Sequence, residues 1–339
     1  MDHYAGIDVS LEYSSVCVVD ASGKIVREGK VMSEPEALIA WLRSLGVGLG
    51  RIGLEAGPLS QWLYAGLQGA GFAVELLETR HVRAALEAMP VKTDRNDARG
   101  IAQLIRMGWF RPVHCKSMAA QETRAILTAR KLMQSKLHDI EMSLRGILRG
   151  FGLKVGKVTR GQFAARIEDL VCGHPTLEAL ATSLLAARDV LLREFKGIER
   201  RVRLIARSDA RVRLLTTAPG VGAIVALTYV TAIDDPTRFK SSKQVGPYFG
   251  LTPKRYQSGE KDVSGGITKA GDAEARALLY EAAHVILTKP IKGGALKSWA
   301  MRLARRAGPA KAKVALARRL AVILHRMWVD ATPFRFAAA

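Results

Sequence analysis

The sequence predicts an α/β domain with a mixed β-sheet at the N-terminus, then a long helical region, then a mainly helical C-terminal region. Three observations predict this class. Short strand-like runs alternate with helical runs over the first 110 residues, apolar residues recur at steps of three and four from Ser117 onward, and no clear strand pattern follows. Alternating strands and helices are typical of layered α/β folds, whereas steps of three and four are typical of long packed helices.

The runs in the N-terminal region follow a regular order. In the chain they are the strand HYAGID (3–8), the strands YSSVCVVD (13–20) and KIVREGKVM (24–32) around an ASG turn, the helix EPEALIAWLRSLG (34–46), the strand RIGLE (51–55), the helix LSQWLYAGLQGAG (59–71), the strand FAVELLE (72–78) and a helix starting near Asp94. The hairpin followed by strand–helix alternation predicts a sheet with both antiparallel and parallel pairs.

Two runs of apolar residues after Ser117 have the spacing of a helix seam. They are Ile126, Met133, Leu137, Ile140, Leu144, Ile147 and Phe151, and then Leu177, Leu184, Leu191, Phe195, Ile198, Val202 and Ile205. Such spacing is typical of coiled coils, although an ordinary helical bundle shows it too. Arg130 and Arg188 each interrupt a seam, where one polar residue can fix register or partner choice. We expect a catalytic domain at 1–113, a helical coiled-coil or dimerisation region at 114–208 and a C-terminal domain at 209–339.

The charge of the chain is uneven. Its net charge is +21, yet residues 1–110 hold 11 Lys and Arg against 13 Asp and Glu, so the later residues hold 41 against 18. An excess of this size predicts a polyanionic partner, and nucleic acid is the obvious one. We expect no membrane span, and three widely separated cysteines indicate a cytoplasmic protein without a zinc site.

Four carboxylates stand out in the otherwise basic sequence. Asp8 ends the first strand in GIDVS, Glu55 ends a later strand in LEAGP, and Asp94 and Asp97 lie three residues apart at a helix start. Parallel neighbouring strands would bring Asp8 and Glu55 to one sheet edge, and residues three apart share a helix face. Carboxylate oxygens are ligands that Mg²⁺ prefers, and a pair of such ions can assist phosphodiester chemistry.

Each acid also has a plainer interpretation. Asp8 could merely end a strand, and Glu55 taken alone is more often structural. Asp94 could cap the helix after Thr93, and Asp97 could pair with Arg95 or with another arginine of the same helix. No single acid is specific, so the interpretation depends on their arrangement on two strands and one helix.

At these residues the chain resembles a known family. GIDVS, LEAGP and KTDRNDA are similar to the Asp-Glu-Asp-Asp signature of the DEDD transposases of the IS one-ten family, which includes the pilin-gene invertases. The resemblance spans essentially the whole chain, and KTDRNDA is its most specific motif. It implies a RuvC-like N-terminal domain with the ribonuclease H fold, in which Asp8, Glu55, Asp94 and Asp97 bind Mg²⁺ or Mn²⁺.

The same resemblance points to a serine in the C-terminal region. The glycine-rich stretch PKRYQSGEKDVSGGITKAGD (253–272) reads as a basic loop, which is either a phosphate-binding segment or an ordinary surface loop. In the family this region supplies a serine that attacks DNA covalently, within an SG motif. Ser258 fits that motif best, and Ser264 is the weaker candidate.

Further residues are candidates for binding nucleic acid. Glycines of the APGVG stretch, which resembles a helix-hairpin-helix turn, could let backbone amides approach a phosphate, although a plain helix–helix turn fits as well. Basic side chains of the loop and of the last helix could contact phosphates. The full set is Gly220, Gly222, Lys254, Arg255, Lys269, Lys311, Lys313, Arg318 and Arg319.

The leading hypothesis is an insertion-sequence transposase that cleaves and rejoins DNA through a phosphoserine intermediate. The resemblance further implies a noncoding guide RNA and a homodimer that assembles into a tetramer. A metal-dependent Holliday-junction resolvase and a non-catalytic nucleic-acid-binding protein are the alternatives. A sugar kinase of the actin-like class also begins with GID before a hairpin, but its glycine motifs are missing and the basic charge does not suit a small metabolite.

Overall fold

A computed structural model describes residues 2–87, 89, 91–291 and 294–336. The chain forms two compact units, Met1–Lys116 and Ser117–Ala339, which are treated separately below. The first unit ends close to the expected domain boundary at 113. The further division of the second unit at 208 stays a prediction. Within the described ranges, no helix combines the length and apolar character needed to cross a membrane.

The first unit contains the mixed sheet that the sequence predicts. Its strands are β1 (His3–Asp8), β2 (Tyr13–Val19), β3 (Ile25–Met32), β4 (Leu49–Glu55) and β5 (Val74–Leu77). They lie in the order β3-β2-β1-β4-β5. The hairpin pairs β1/β2 and β2/β3 are antiparallel, whereas β1/β4 and β4/β5 are parallel. The central strand β1 therefore has the hairpin on one side and the parallel pair on the other.

Four helices complete the described part of this unit. They are α1 (Pro35–Arg43), α2 (Ser60–Gly69), α3 (Thr79–Leu86) and α4 (Asp94–Met107), of which α3 was not predicted. Helix α4 lies unusually close to the sheet. A Cβ atom on Gly6 of β1 would be 2.2 Å from the backbone N of Ala102 and 2.3 Å from the backbone O of Ala98. The absence of a side chain at Gly6 therefore allows α4 to rest directly on the central strand.

The second unit begins with the two long helices that the seams predict. Helices α5 (Met118–Gly150) and α7 (Pro175–Ser208) flank the short α6 (Phe163–Val171). The two long helices run in opposite directions, because Arg130 of α5 pairs with Glu199 while Arg188 of α7 pairs with Glu141. Each interrupting arginine thus connects the two helices within one chain. Whether the same helices also form an intermolecular coiled coil stays a prediction.

The two predicted seams of buried apolar residues are only partly correct. Leu137, Leu144 and Phe195 are buried as expected, but Ile147 and Phe151 are 36% and 64% exposed. Near the end of α5 the buried face of the helix lies one residue later than predicted. Leu148 is therefore buried there instead of Ile147.

The rest of the second unit is mainly helical. Its helices are α8 (Ala210–Leu215), α9 (Ala223–Ile233), α10 (Val245–Tyr248), α11 (Ala273–Thr288), α12 (Gly294–Ala307) and α13 (Pro309–Val329). The buried residues of α9, α11 and α13 share one apolar core. Tyr229 in this core is buried and donates its hydroxyl to the backbone O of Ala321 over 2.7 Å.

The predicted glycine-rich loop is wrong for residues 253–267. These residues form a two-stranded antiparallel hairpin, β6 (Pro253–Ser258) and β7 (Lys261–Ile267), joined by Gly259 and Glu260. Gly259 has a φ of +55°, which suits a tight two-residue hairpin turn. No residue of either strand is buried, so the strands lack the apolar alternation by which a strand is recognised in a sequence.

Candidate active site

Asp8 and Glu55 lie at the same position on neighbouring parallel strands. Ile7 of β1 pairs with Leu54 of β4, and each acid is the next and last residue of its strand. Successive side chains point to opposite faces of a sheet, so residues at matching positions share a face. The structure therefore brings these two carboxylates to one edge, as the sequence predicts.

The first turn of α4 carries the other two acids toward that edge. Thr93 caps the helix, because its hydroxyl oxygen accepts from the backbone N–H of Asn96 over 3.2 Å. The cap interpretation of Asp94 is therefore wrong, and Asp94 is the first helical residue. Ala98, one turn after Asp94, contacts Gly6 of β1. The helix start thus points at the end of the strand where Asp8 lies.

The arginines of α4 do not neutralise its aspartates. Arg95 donates from Nε to Oε2 of Glu28 over 2.7 Å, and Arg99 donates from Nη2 to the same oxygen over 2.9 Å. The predicted alternative of an Asp97–arginine pair is therefore wrong. Across the part of the chain that the structure describes, no ion pair includes Asp8, Glu55, Asp94 or Asp97.

The acids affect one another electrostatically. Burial, and then the negative charges of Asp97, Asp94 and Glu55 in that order, together raise the pKa of Asp8 from 3.8 to about 6. Burial also raises the pKa of Glu55, with a contribution from Asp97. Neighbouring carboxylates that must share one region disfavour ionisation. All four acids therefore contribute to one region of negative charge.

The donor set suits a hard divalent cation, which would relieve this repulsion. The side chains as placed do not form a ready coordination shell, however. Among the described residues, no three His, Cys, Asp or Glu side chains converge closely enough to hold an ion. The chemistry of the four acids fits Mg²⁺ or Mn²⁺, and the assignment of that metal stays a prediction.

A cleft of about 570 Å³ opens beside the acids. Glu55 and Asp97 line it together with Lys92 and Arg83, and Val82 and Leu86 form an apolar part of its wall. Lys92 lies close enough to lower the pKa values of both Asp8 and Glu55. Lys92 and Arg83 were not predicted from the sequence. Lys92 lies two residues before Asp94 inside the KTDRNDA motif, so a basic residue beside the acids was the available signal.

Ser258 and Ser264 lie on the exposed hairpin of the second unit. Ser258 is the last residue of β6 and pairs with Lys261 across the turn, and Ser264 faces Arg255. Arg255, expected to contact a phosphate, forms a bidentate pair with Asp262 at 2.8 and 2.7 Å. Its phosphate-binding role stays a prediction, and any phosphate would compete with Asp262.

The two glycines of APGVG lie in different surroundings. Gly220 has a φ of +73°, and a Cβ atom there would be 2.7 Å from the backbone O of Ala282 in α11. Helix packing is thus enough to explain Gly220. Gly222 precedes the first residue of α9 and has open space around it. The helix-hairpin-helix assignment remains a prediction.

Aromatic rings contact two of the remaining basic candidates, Lys313 and Arg319. Lys313 lies 5.9 Å from the ring centre of Tyr280, and Arg319 lies 4.6 Å from that of Trp299. Such contacts orient a cation without cancelling its charge. Lys254, Lys269, Lys311 and Arg318 are exposed. Lys269 also has a left-handed backbone with a φ of +55°.

Comparison with known proteins identifies the family. A DEDD-type model of IS110 transposases matches residues 5–152, and a model described as "Transposase IS116/IS110/IS902 family" matches residues 212–295. The transposase for insertion sequence element IS1111A of Coxiella burnetii is 27% identical over 98% of this chain and 91% of its own length. A protein named probable family 20 transposase from Pseudomonas aeruginosa is 26% identical over 84% of this chain and 85% of its own.

Among solved structures, T. thermophilus RuvC in complex with a Holliday junction substrate aligns with 33% of this chain over 100% of its own length. The identity is 16% and the TM-score is 0.27. The two family models match separate parts of the chain, and the relative from Coxiella burnetii aligns with almost all of it. The chain belongs to the IS116/IS110/IS902 family of transposases.

Proposed function

We propose that this transposase cleaves and rejoins DNA strands with a metal-dependent acid site and a serine nucleophile. The observation that carries the proposal is that Asp8 and Glu55 end neighbouring parallel strands at one sheet edge, near enough to Asp94 and Asp97 of α4 for both aspartates to raise the pKa of Asp8. Perturbed carboxylates grouped beside a cleft are typical of catalytic sites. The pairing of Arg95 and Arg99 with Glu28 leaves that negative charge available to a cation.

Asp8, Glu55, Asp94 and Asp97 would hold Mg²⁺ or Mn²⁺. When bound, such an ion stabilises the negative charge that develops on the oxygens of a phosphate under attack. The four carboxylates would orient it, and the neighbouring Lys92 would contact the backbone of the strand in the cleft. Arg83 would add a second cationic contact along the same strand.

Ser258 would supply the nucleophile. In the proposed step its Oγ forms a bond to phosphorus, the bond from phosphorus to one deoxyribose oxygen breaks, and the released oxygen takes up a proton. The DNA end is then held as a phosphoserine ester, and attack by a deoxyribose hydroxyl reverses the sequence on another strand. The exposed hairpin turn makes Ser258 accessible to a DNA backbone. A serine hydroxyl needs activation for this role.

Nucleic-acid binding would use the basic second unit. Residues 282–329 contain 11 Lys and Arg and no Asp or Glu, so this segment carries a strong positive charge, although Arg326 pairs with Asp330 just beyond it. The second unit also contains all the predicted candidates for nucleic-acid binding. They are Gly220, Gly222, Lys254, Arg255, Lys269, Lys311, Lys313, Arg318 and Arg319. A noncoding guide RNA and a homodimer that assembles into a tetramer are proposed from the family resemblance.

The test is an incubation of purified protein with DNA that carries the junction of its element. Reactions contain Mg²⁺, Mn²⁺ or EDTA, with and without a transcript of the flanking region. Covalent protein–DNA adducts are detected by their retarded migration under denaturing conditions. Ser258→Ala is compared with Ser264→Ala on the same hairpin, and Asp97→Asn with Asp139→Asn at an exposed position of helix α5. We expect adducts to be lost in Ser258→Ala, in Asp97→Asn, in EDTA and without the transcript, and to form in the two control variants.

Other outcomes would favour the alternatives. Nicking that persists in Ser258→Ala without any adduct would indicate hydrolysis by a junction-resolving nuclease. If Asp97→Asn leaves every activity unchanged, the acid site has no catalytic role and the protein acts by binding alone. If the flanking transcript has no effect on the adducts, the guide RNA is not required.

A further inference from the structure

The most specific contact outside the acid cluster joins the edge strand β3 to helix α4. Glu28 of β3, whose side chain is 12% exposed, accepts hydrogen bonds from both Arg95 and Arg99. Arg99 also contacts the second carboxylate oxygen of Glu28. We call these three side chains the Glu28 clamp. The clamp attaches the first two turns of α4 to the hairpin side of the sheet.

The clamp and the acids lie on different flanks of α4. An α-helix turns by about 100° per residue, so Arg95 and Arg99, four residues apart, share one flank. Asp97 lies two residues from each arginine, about 200° away around the helix. A fixed contact on one flank sets the rotation of the helix about its axis. The clamp therefore constrains the orientation of Asp94 and Asp97 together with the packing of α4 on Gly6.

The clamp also pairs two positive charges that lie next to the acids, those of Arg95 and Arg99, with Glu28. Arg95 is the neighbour of Asp94 in the chain, and its side chain is 67% exposed, so its guanidinium is free to move once Glu28 no longer holds it. A released Arg95 guanidinium would compete for the carboxylate of the adjacent Asp94, because an arginine within a few ångströms of a carboxylate pairs with it through charge-assisted hydrogen bonds. Within the described ranges, Glu28 is the acid paired with both arginines.

We propose that Glu28 is a positioning residue for the acid site: it holds the Arg95 guanidinium away from Asp94 and fixes the flank of α4 that carries Arg95 and Arg99, and so keeps Asp94 and Asp97 available to a divalent cation. This inference rests on the proposed metal-dependent function. Glu28 itself does not contact the ion. Its effect is transmitted through the two arginines and the start of α4.

The test measures Mn²⁺ binding by the full-length protein, by titration calorimetry and by the electron paramagnetic resonance signal of free Mn²⁺. The variants are Glu28→Gln, the triple variant Glu28→Gln/Arg95→Gln/Arg99→Gln, and Glu199→Gln as a control. Glu199 also pairs with arginines, Arg130 and Arg203, but on the long helices of the second unit. Circular dichroism confirms that each variant is folded.

We expect Glu28→Gln to weaken Mn²⁺ binding roughly tenfold, in the range seen when partners outside the coordination shell are lost. The triple variant should recover part of the affinity, because the released cations are gone although the clamp is still missing, and Glu199→Gln should bind as the parent does. If Glu28→Gln does not fold, Glu28→Asp replaces it, because the shorter carboxylate cannot hold both arginines and should give a smaller loss.

Two results overturn the proposal. One is unchanged affinity in the folded Glu28 variant, and the other is a triple variant no better than Glu28→Gln. Failure of the proposed function looks different, because the parent protein would then bind no Mn²⁺ that depends on Asp97, and the role of Glu28 would fall with it.

Discussion

Arg188 of α7 donates from Nε to Oε1 of Glu141 in α5 over 2.9 Å, and its side chain is only 2% exposed. The same guanidinium donates to the backbone O of Arg160 over 2.9 Å and lies 5.0 Å from the ring centre of Phe163. One residue thus connects both long helices with the segment between them. The polar interruption that the sequence shows in the second seam is therefore an internal link of the helical hairpin.

Replacing Arg188 with methionine should strongly destabilise the second unit. The change leaves the carboxylate of Glu141 without its partner in a site that is 16% exposed, and loss of one member of a buried pair costs about 3 kcal/mol or more. Urea denaturation followed by circular dichroism measures the change. Arg193→Met, at an exposed position of the same helix, should change the free energy of unfolding by less than about 1 kcal/mol. Equal effects of the two substitutions would contradict the assigned role.

Replacing Gly6 with alanine should displace α4 from the sheet. The new Cβ atom would be 2.2 Å from the backbone N of Ala102, which cannot move aside as a flexible side chain could. Overpacking against side chains costs about 1–3 kcal/mol, so we expect at least the upper end of that range here. Thermal unfolding measures it. Gly48→Ala is the matched control, because no atom lies within 4 Å of its added Cβ.

A second measurement on Gly6→Ala, its affinity for Mn²⁺, distinguishes a local effect from general unfolding. Because Asp94 and Asp97 are carried by α4, the variant should also lose Mn²⁺ affinity at temperatures where it is still folded. A folded Gly6→Ala variant that binds Mn²⁺ like the parent would mean that the close approach of α4 does not position the acids.

The first unit was predictable because its signals are local. Each of its five strands carries β-branched or apolar residues between turn residues, so their number and order follow from the sequence. The placement of Asp8 and Glu55 also follows, since acids that end parallel neighbouring strands must share an edge. Helix α3 was missed because only Val82 in it is buried, which leaves too narrow an apolar stripe to be recognised.

The missed parts depend on contacts between residues far apart in the chain. Glu28 lies in an edge strand 67 residues before Arg95, and nothing in the local pattern links the two. The hairpin of β6 and β7 has no buried face, so its backbone pairing gives no apolar period. Arg255 looked available for a phosphate because its partner, Asp262, faces it only after the hairpin forms.

Addition of a divalent cation should stabilise the first unit through the acids. A ligand that binds only the folded state raises the free energy of unfolding by about 2.7 kcal/mol at a concentration one hundred times its dissociation constant. We expect Mg²⁺ or Mn²⁺ to raise the melting temperature of the parent protein and EDTA to reverse the rise. Asp97→Asn should show little of this response, whereas Asp139→Asn should respond fully. A rise of equal size in Asp97→Asn would place the ion elsewhere.

Removal of the charge at Asp8 should stabilise the metal-free protein at neutral pH. Because burial and the three neighbouring acids raise the pKa of Asp8 to about 6 from an ordinary value of 3.8, the folded state binds this proton more tightly than the unfolded state does. The stability that comes from protonation is present below pH 4 and is lost as the pH rises through about 6. Asp8→Asn avoids this loss. Asp8 is half-buried, so solvent screens part of the effect, and we expect a gain of about 1 kcal/mol above pH 7.

Melting temperatures measured in EDTA between pH 4 and pH 8 test this. The curves of Asp8→Asn and the parent should meet at the acid end and separate toward neutral pH, with Asp139→Asn following the parent throughout. Curves that stay parallel at every pH would show that Asp8 ionises at its ordinary pKa and that the four acids do not share one region.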